Sequence, residues 1–125
     1  MTHTLAMRPP KEEQIKSLLE GTACTLVEKY VGESASVDSY AEVFSVTRSE
    51  ILAYLQTHYR LEDITHASVG SADGFYVIST IFGYKTFFQE RGIRFGETAV
   101  RSQDEVWRKF VDYLIATSGT GLRFN

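Results

Sequence analysis

The chain has 125 residues, 43% of them apolar and 23% charged, with a formal net charge of -3. That is enough for one domain with a core of its own and no metal or disulfide staples, and the slightly acidic balance argues against general nucleic-acid binding, whose footprint is basic. The lone Cys24 excludes an internal disulfide, and no window reaches the ~18 apolar residues of a membrane span or holds a signal-peptide core, so the expectation is a cytoplasmic protein with no membrane partner.

In chain order, residues 1–8 read as a flexible arm, 10–60 as a helical part, and 64–118 as a sheet followed by a helix. Pro9 and Pro10 suit the first turn of a helix, and Glu12 and Glu13 complement its dipole. Ile15, Leu18, Leu19, Thr22, Leu26 and Tyr30 follow one helical stripe, with Gly32 as its stop. Cys24 lies off that stripe and reads as structural, with no basic neighbour to favour a thiolate.

Thr47 and Glu50 have capping-box spacing, and Ile51, Leu52, Leu55 and Tyr59 form the buried stripe of the helix they open. With Tyr40, Ala41, Phe44 and Val46 ahead of it, residues 38–59 resemble a helix-turn-helix. Ser45 stands where that motif usually has glycine, and acidic residues outnumber Lys16, Lys29 and Arg48 in the surrounding stretch, which opposes phosphate contacts.

The run DITHASVG reads as a short strand before a turn-rich SADG. Phe75 to Phe82 is β-branched or aromatic on both alternating faces, as a strand covered on two sides must be. Turns at Gly83 and Arg91-Gly92 lead to a strand from Tyr84 to Glu90 and another within Gly96 to Arg101. Ser102 and Glu105 make a second capping box, and Val106, Trp107, Phe110, Val111, Leu114 and Ile115 the strongest helical stripe, over Gln103 to about Thr117. Gly119 and Gly121 then read as helix-stop residues. The expected fold is α+β: an antiparallel three- or four-stranded meander with N-terminal helices and a C-terminal amphipathic helix packed on it.

The chemistry-bearing motifs are sparse. There is no nucleophile elbow, HExxH, paired-cysteine site or dinucleotide fingerprint, and His3, His58 and His66 are scattered rather than set at metal-ligand spacing. This favours a non-enzymatic protein without metal or cofactor. Two polar sets exceed what folding needs: Glu28, Glu33, Asp38 and Glu42 in the helical part, and Glu90, Arg91, Arg94 and Glu97 at one hairpin end. The first set shares one sign and would present a continuous negative field to a basic partner.

The block YKTFFQERGIRFGETAVRSQDEVWRKFVDYL resembles a pattern in small bacterial immunity proteins of toxin–immunity systems. An aromatic strand ends in an E-R-G turn and leads through a second strand to an acidic helix start. The matching residues are Tyr84, Phe87, Phe88, Glu90, Arg91, Gly92, Ser102, Asp104, Glu105 and Trp107. The resemblance implies a cytoplasmic protein that binds one cognate toxin domain and occludes its active site or blocks its activation. The two polar sets are then its candidate toxin contacts. Two other readings stay open: a helix-turn-helix regulator using residues 38–59, and a small ligand-binding domain.

Overall fold

The computed structural model describes residues 8–125, so all of the expected arm except Arg8 lies outside the described residues. The fold is α+β, with six α-helices and one three-stranded antiparallel sheet among the described residues. Two compact units can be distinguished. One takes in the described residues up to Tyr54 together with Leu114–Asn125, and the other is Leu55–Tyr113.

The first unit holds α1 (Lys11–Glu20), α2 (Ala23–Val31), a 3-10 turn (Gly32–Ser34), α3 (Ser39–Val43) and the start of α4 (Arg48–His58). The continuous stripe from Ile15 to Tyr30 is in fact two helices. Gly21 takes a left-handed φ of 73° and its neighbour Thr22 donates its N–H to Ser17 O at 2.8 Å, which closes α1 before α2 begins. Ile15, Leu18, Leu26, Val27, Val43, Phe44 and Val46 are buried. So is Gln14, wholly, because all of its polar capacity is met. Its Nε2 donates to Pro9 O (2.9 Å) and Ser45 Oγ (3.2 Å), and its Oε1 accepts from the Ser45 and Val46 amides (2.8 and 3.2 Å). One amide thus ties α1 to the connection between α3 and α4. The capping box at α4 forms in both directions, Thr47 N to Glu50 Oε1 at 3.0 Å and Glu50 N to Thr47 Oγ1 at 3.2 Å.

In the second unit, α5 (Leu61–Ile64) takes up the first two residues of the short strand expected over 63–70; the rest is irregular, and among those residues only His66 bridges to the sheet. The sheet runs β1 (Gly74–Thr80), β2 (Gly83–Glu90), β3 (Ile93–Val100), in that spatial order. The first part of α6 (Gln103–Thr117) packs on one face: Phe75 meets Phe110 edge-on with centroids 5.5 Å apart, and Tyr113 lies 5.3 Å from Phe75 and 5.4 Å from Phe88. Trp107 is buried, edge-on to Phe110 at 6.3 Å. The opposite face carries Tyr76 stacked on Phe87 at 4.8 Å, with the His66 ring against Tyr76 at 4.7 Å.

The segment between α5 and β1 is fastened to the sheet by side chains. Tyr76 Oη donates to Ala72 O (2.6 Å), and Gln89 Nε2 to Gly70 O and Ala72 O (2.8 and 3.2 Å). Asp73 Oδ1 accepts from the Arg91 amide at 2.9 Å, which ties that segment to the β2–β3 turn.

One strand boundary differs from expectation in a way that bears on function. Thr80 pairs with Gly83, so Ile81 and Phe82 form the β1–β2 turn instead of ending a buried strand, and they are 94% and 86% exposed. Gly83 is required beside them. A Cβ there would stand 2.4 Å from Val100 O and 2.9 Å from Arg101 Cα.

Candidate functional site

The hairpin end of the sheet is built by two left-handed devices. Arg91 (φ 51°) and Gly92 (φ 80°) give the β2–β3 turn positive φ at both central positions, as a type I′ turn requires. Further along β3, Thr98 pairs with Thr86 while Phe95 pairs with Phe88, so β3 carries one extra residue opposite Phe87. Gly96, at φ 64°, absorbs it as a bulge.

The bulge decides where the charges go. Residues three apart on a regular strand point to opposite faces. Here Arg94 and Glu97 meet on the same one. The Arg94 guanidinium lies 4.5 Å above the Phe87 ring centroid, Glu97 is 3.1 Å from Lys85 Nζ, and Arg94 approaches Glu97 at 4.0 Å. On the other face Phe95 stacks on Phe88 at 4.9 Å, yet remains 40% exposed, and Ile93 beside it is 60% exposed. The predicted set Glu90, Arg91, Arg94 and Glu97 is exposed throughout, with Glu90 and Arg91 at the turn and Arg94 and Glu97 on the sheet. Sequence reasoning missed the contribution of Lys85, Ile93 and Phe95; the pair of large apolar residues on a strand with three charged or glycine neighbours was the available signal.

The acidic set lies in the first unit. Glu28 is on α2, Glu33 in the 3-10 turn, Asp38 just before α3 and Glu42 within it; the first three are exposed and Glu42 is half-buried. Between Glu28 and Glu42 the only cation in the sequence is Lys29, and it is engaged by Glu13 at 3.1 Å, which holds the ammonium above its ordinary pKa. Among the described residues no ion pair forms at Glu33, Asp38 or Glu42, and Val37 between them is 81% exposed. Cys24 is exposed rather than packed, with its Sγ 3.5 Å from Glu28 Oε1.

A shallow cavity of about 280 Å³ between α1 and α2 includes Glu13, Lys16, Ser17 and Lys29 in its lining. Its cations are already paired, Lys29 with Glu13 and Lys16 with Glu12 at 3.1 Å. Among the described residues, no three or more His, Cys, Asp or Glu side chains are grouped to hold a metal ion. No described helix is long and apolar enough to cross a membrane.

The region resembling a helix-turn-helix does form two helices, α3 and α4. Its second helix, RSEILAYLQTH, has one Lys or Arg, Arg48, and that side chain reaches back to Arg123 O at 3.4 Å. Its exposed positions are Ser49, Ala53, Gln56, Thr57 and His58, which offer no basic stripe to phosphates. No family model, curated protein or solved structure matches the chain.

Proposed function

We propose that this is an immunity protein, which binds a cognate bacterial toxin domain through the β2–β3 end of its sheet and occludes the toxin's active site. The observation that carries the reading is the exposed pair Ile93 and Phe95, 60% and 40% accessible, with Glu90 and Arg91 beside them at the turn and Arg94 and Glu97 on the opposite face of the same strand. Exposed large apolar side chains with charge nearby are the usual anatomy of a protein–protein contact, the apolar anchors supplying affinity and the charges orientation and encounter rate. Arg94 is pre-positioned on Phe87 and so loses little freedom on binding. The resemblance of the block from Tyr84 to Leu114 to immunity proteins supplies the class of partner, and the cytoplasm, where such a toxin would act, is the compartment the reading requires.

The acidic set Glu28, Glu33, Asp38 and Glu42 supports the same reading as a second, electrostatic surface toward a basic toxin cleft. The test is co-expression of the full chain with the toxin domain encoded beside it, followed by calorimetry on the purified pair. Ile93→Asp with Phe95→Asp should abolish protection while the protein stays folded. Glu90→Lys with Glu97→Lys should slow association more than Glu33→Lys with Asp38→Lys. Protection and affinity unchanged by the apolar double variant would place the contact elsewhere. A wild-type chain that binds no such toxin would end the immunity reading.

A further inference from the structure

At the β2–β3 end, the face of the sheet that carries α6 brings rings and carboxylates together. Phe88 pairs with Phe95 and Glu90 with Ile93, two positions along each strand, so all four side chains stand on that face. Phe95 stacks on Phe88 at 4.9 Å, and Tyr113 of α6 lies 5.4 Å from Phe88. Phe95 is exposed and Phe88 and Tyr113 are half-buried, so the three rings form a shelf that solvent reaches. Two carboxylates converge on it. Asp73 is held beside the turn by the Arg91 amide at 2.9 Å, and Glu90 closes β2. Burial raises the Tyr113 pKa first, and the Asp73 and Glu90 carboxylates raise it further, with no cation acting the other way. Among the described residues neither carboxylate enters an ion pair, although Arg91 adjoins Glu90 in the chain and Lys109 lies one turn before Tyr113 on α6.

Exposed rings beside uncompensated carboxylates suit one chemistry, a cation with a flat face. The same hairpin uses it on its other face, where the Arg94 guanidinium lies 4.5 Å over the Phe87 ring and 4.0 Å from Glu97. We propose that the β2–β3 end takes an arginine side chain of its protein partner, the guanidinium lying on the Phe95 ring and directed by Glu90 and Asp73. The ring attracts the cation through its quadrupole, and a carboxylate accepts two parallel N–H bonds from the planar fork. A lysine ammonium has no plane to lay on the ring. A partner without positive charge would cover two carboxylates and return nothing for their lost hydration. This inference rests on the reading of this end as the partner-binding surface, and it names the side chain that the surface selects.

The experiment needs no toxin. The isotope-labelled full chain is titrated by NMR with N-acetyl-arginine N-methylamide and, separately, with its citrulline counterpart, which keeps the shape and loses the charge. The arginine probe should give saturable shifts at Glu90, Ile93, Phe95 and Tyr113, with a Kd on the order of 10 mM, and citrulline should bind at least about tenfold more weakly. Glu90→Gln with Asp73→Asn, which keeps an acceptor for the Arg91 amide, should weaken arginine binding at least about fivefold in a folded chain. Phe95→Leu, which keeps an apolar side chain and removes the ring, should weaken it similarly. No saturable shift at these residues below about 100 mM would overturn the proposal. So would equal binding of citrulline, or arginine binding that both variants leave unchanged. The two probes are compared on wild type, so a variant that fails to fold does not remove the decision. Arginine binding by a chain that captures no toxin would end the immunity reading alone, and toxin capture by a chain that binds both probes equally would end this inference alone.

Discussion

Two aromatic residues of the second unit, both in apolar runs of the sequence, should respond in opposite ways to truncation. Trp107 is 8% exposed, so roughly 230 Å² of its side chain leaves water on folding, worth at most about 5–6 kcal/mol at ~25 cal/mol per Å². Core-aromatic truncations cost about 3–5 kcal/mol, and Trp107→Ala should fall in that range. Phe82 is 86% exposed, so only about 30 Å² is covered, and Phe82→Ala should cost no more than about 0.7 kcal/mol. Trp107 is the single tryptophan, so urea unfolding should be followed by far-ultraviolet circular dichroism for both variants. For a chain of this length the Trp107→Ala loss corresponds to a melting temperature lower by about 10–20 °C. Trp107→Ala within about 1 kcal/mol of wild type would refute the burial of Trp107, and Phe82→Ala costing more than about 2 would refute the exposure of Phe82.

Gly83→Ala should cost at least ~2 kcal/mol, read as a lower urea midpoint, because the new Cβ would stand 2.4 Å from Val100 O and 2.9 Å from Arg101 Cα, backbone atoms that cannot swing aside. At Glu50 the hydrogen bond from Lys11, and after it the Thr47 amide, hold the carboxyl below its ordinary pKa. A carboxylate depressed in the folded state contributes stability above its unfolded pKa and loses it as pH falls through the folded one. Glu50→Gln, which preserves the cap acceptor, should therefore melt lower than wild type at pH 7 and converge with it toward about pH 3; a gap that persists in acid would sink this assignment. The paired reversals Glu33→Lys with Asp38→Lys and Glu90→Lys with Glu97→Lys should each shift stability by less than about 1 kcal/mol, since these side chains are exposed and their ion pairs solvent-screened. A melting curve shifted by more than that would mean they hold the fold.

The capping boxes were the most legible feature of the sequence. A hydroxyl followed three residues later by a glutamate is a local signal, and both pairs form: Thr47 with Glu50, and Ser102 with Glu105, whose amide donates to Ser102 Oγ at 3.2 Å. The stripe of α6 was equally plain. What stayed hidden depended on partners distant in sequence. The Ile15–Tyr30 stripe keeps its phase through Gly21, so periodicity alone could not show that the glycine closes α1. Gln14 reads as a surface residue until Ser45 and Val46 arrive from 31 and 32 positions away. Ile81-Phe82 contains no turn-forming residue, and only the register that pairs Thr80 with Gly83 turns the chain there. For the candidate surface, composition revealed which residues are charged but not that an extra residue in β3 would gather them.

That extra residue also bears on how a partner can bind. β3 is an edge strand, and an unprotected edge accepts further strands through its main chain. The Gly96 bulge interrupts the ladder three residues in from the turn, and Arg94 and Glu97 place charge on either side of it. Strand addition along β3 would have to match the bulge and desolvate both charges, which is the means by which exposed edges are kept from pairing. The same bulge leaves Ile93 and Phe95 on one face and the Lys85, Glu97 and Arg94 cluster on the other. A partner at this end therefore meets side chains rather than free amides and carbonyls. Recognition by that route takes its affinity from the apolar pair and its encounter rate from the charges, so added salt should slow association while leaving dissociation nearly unchanged.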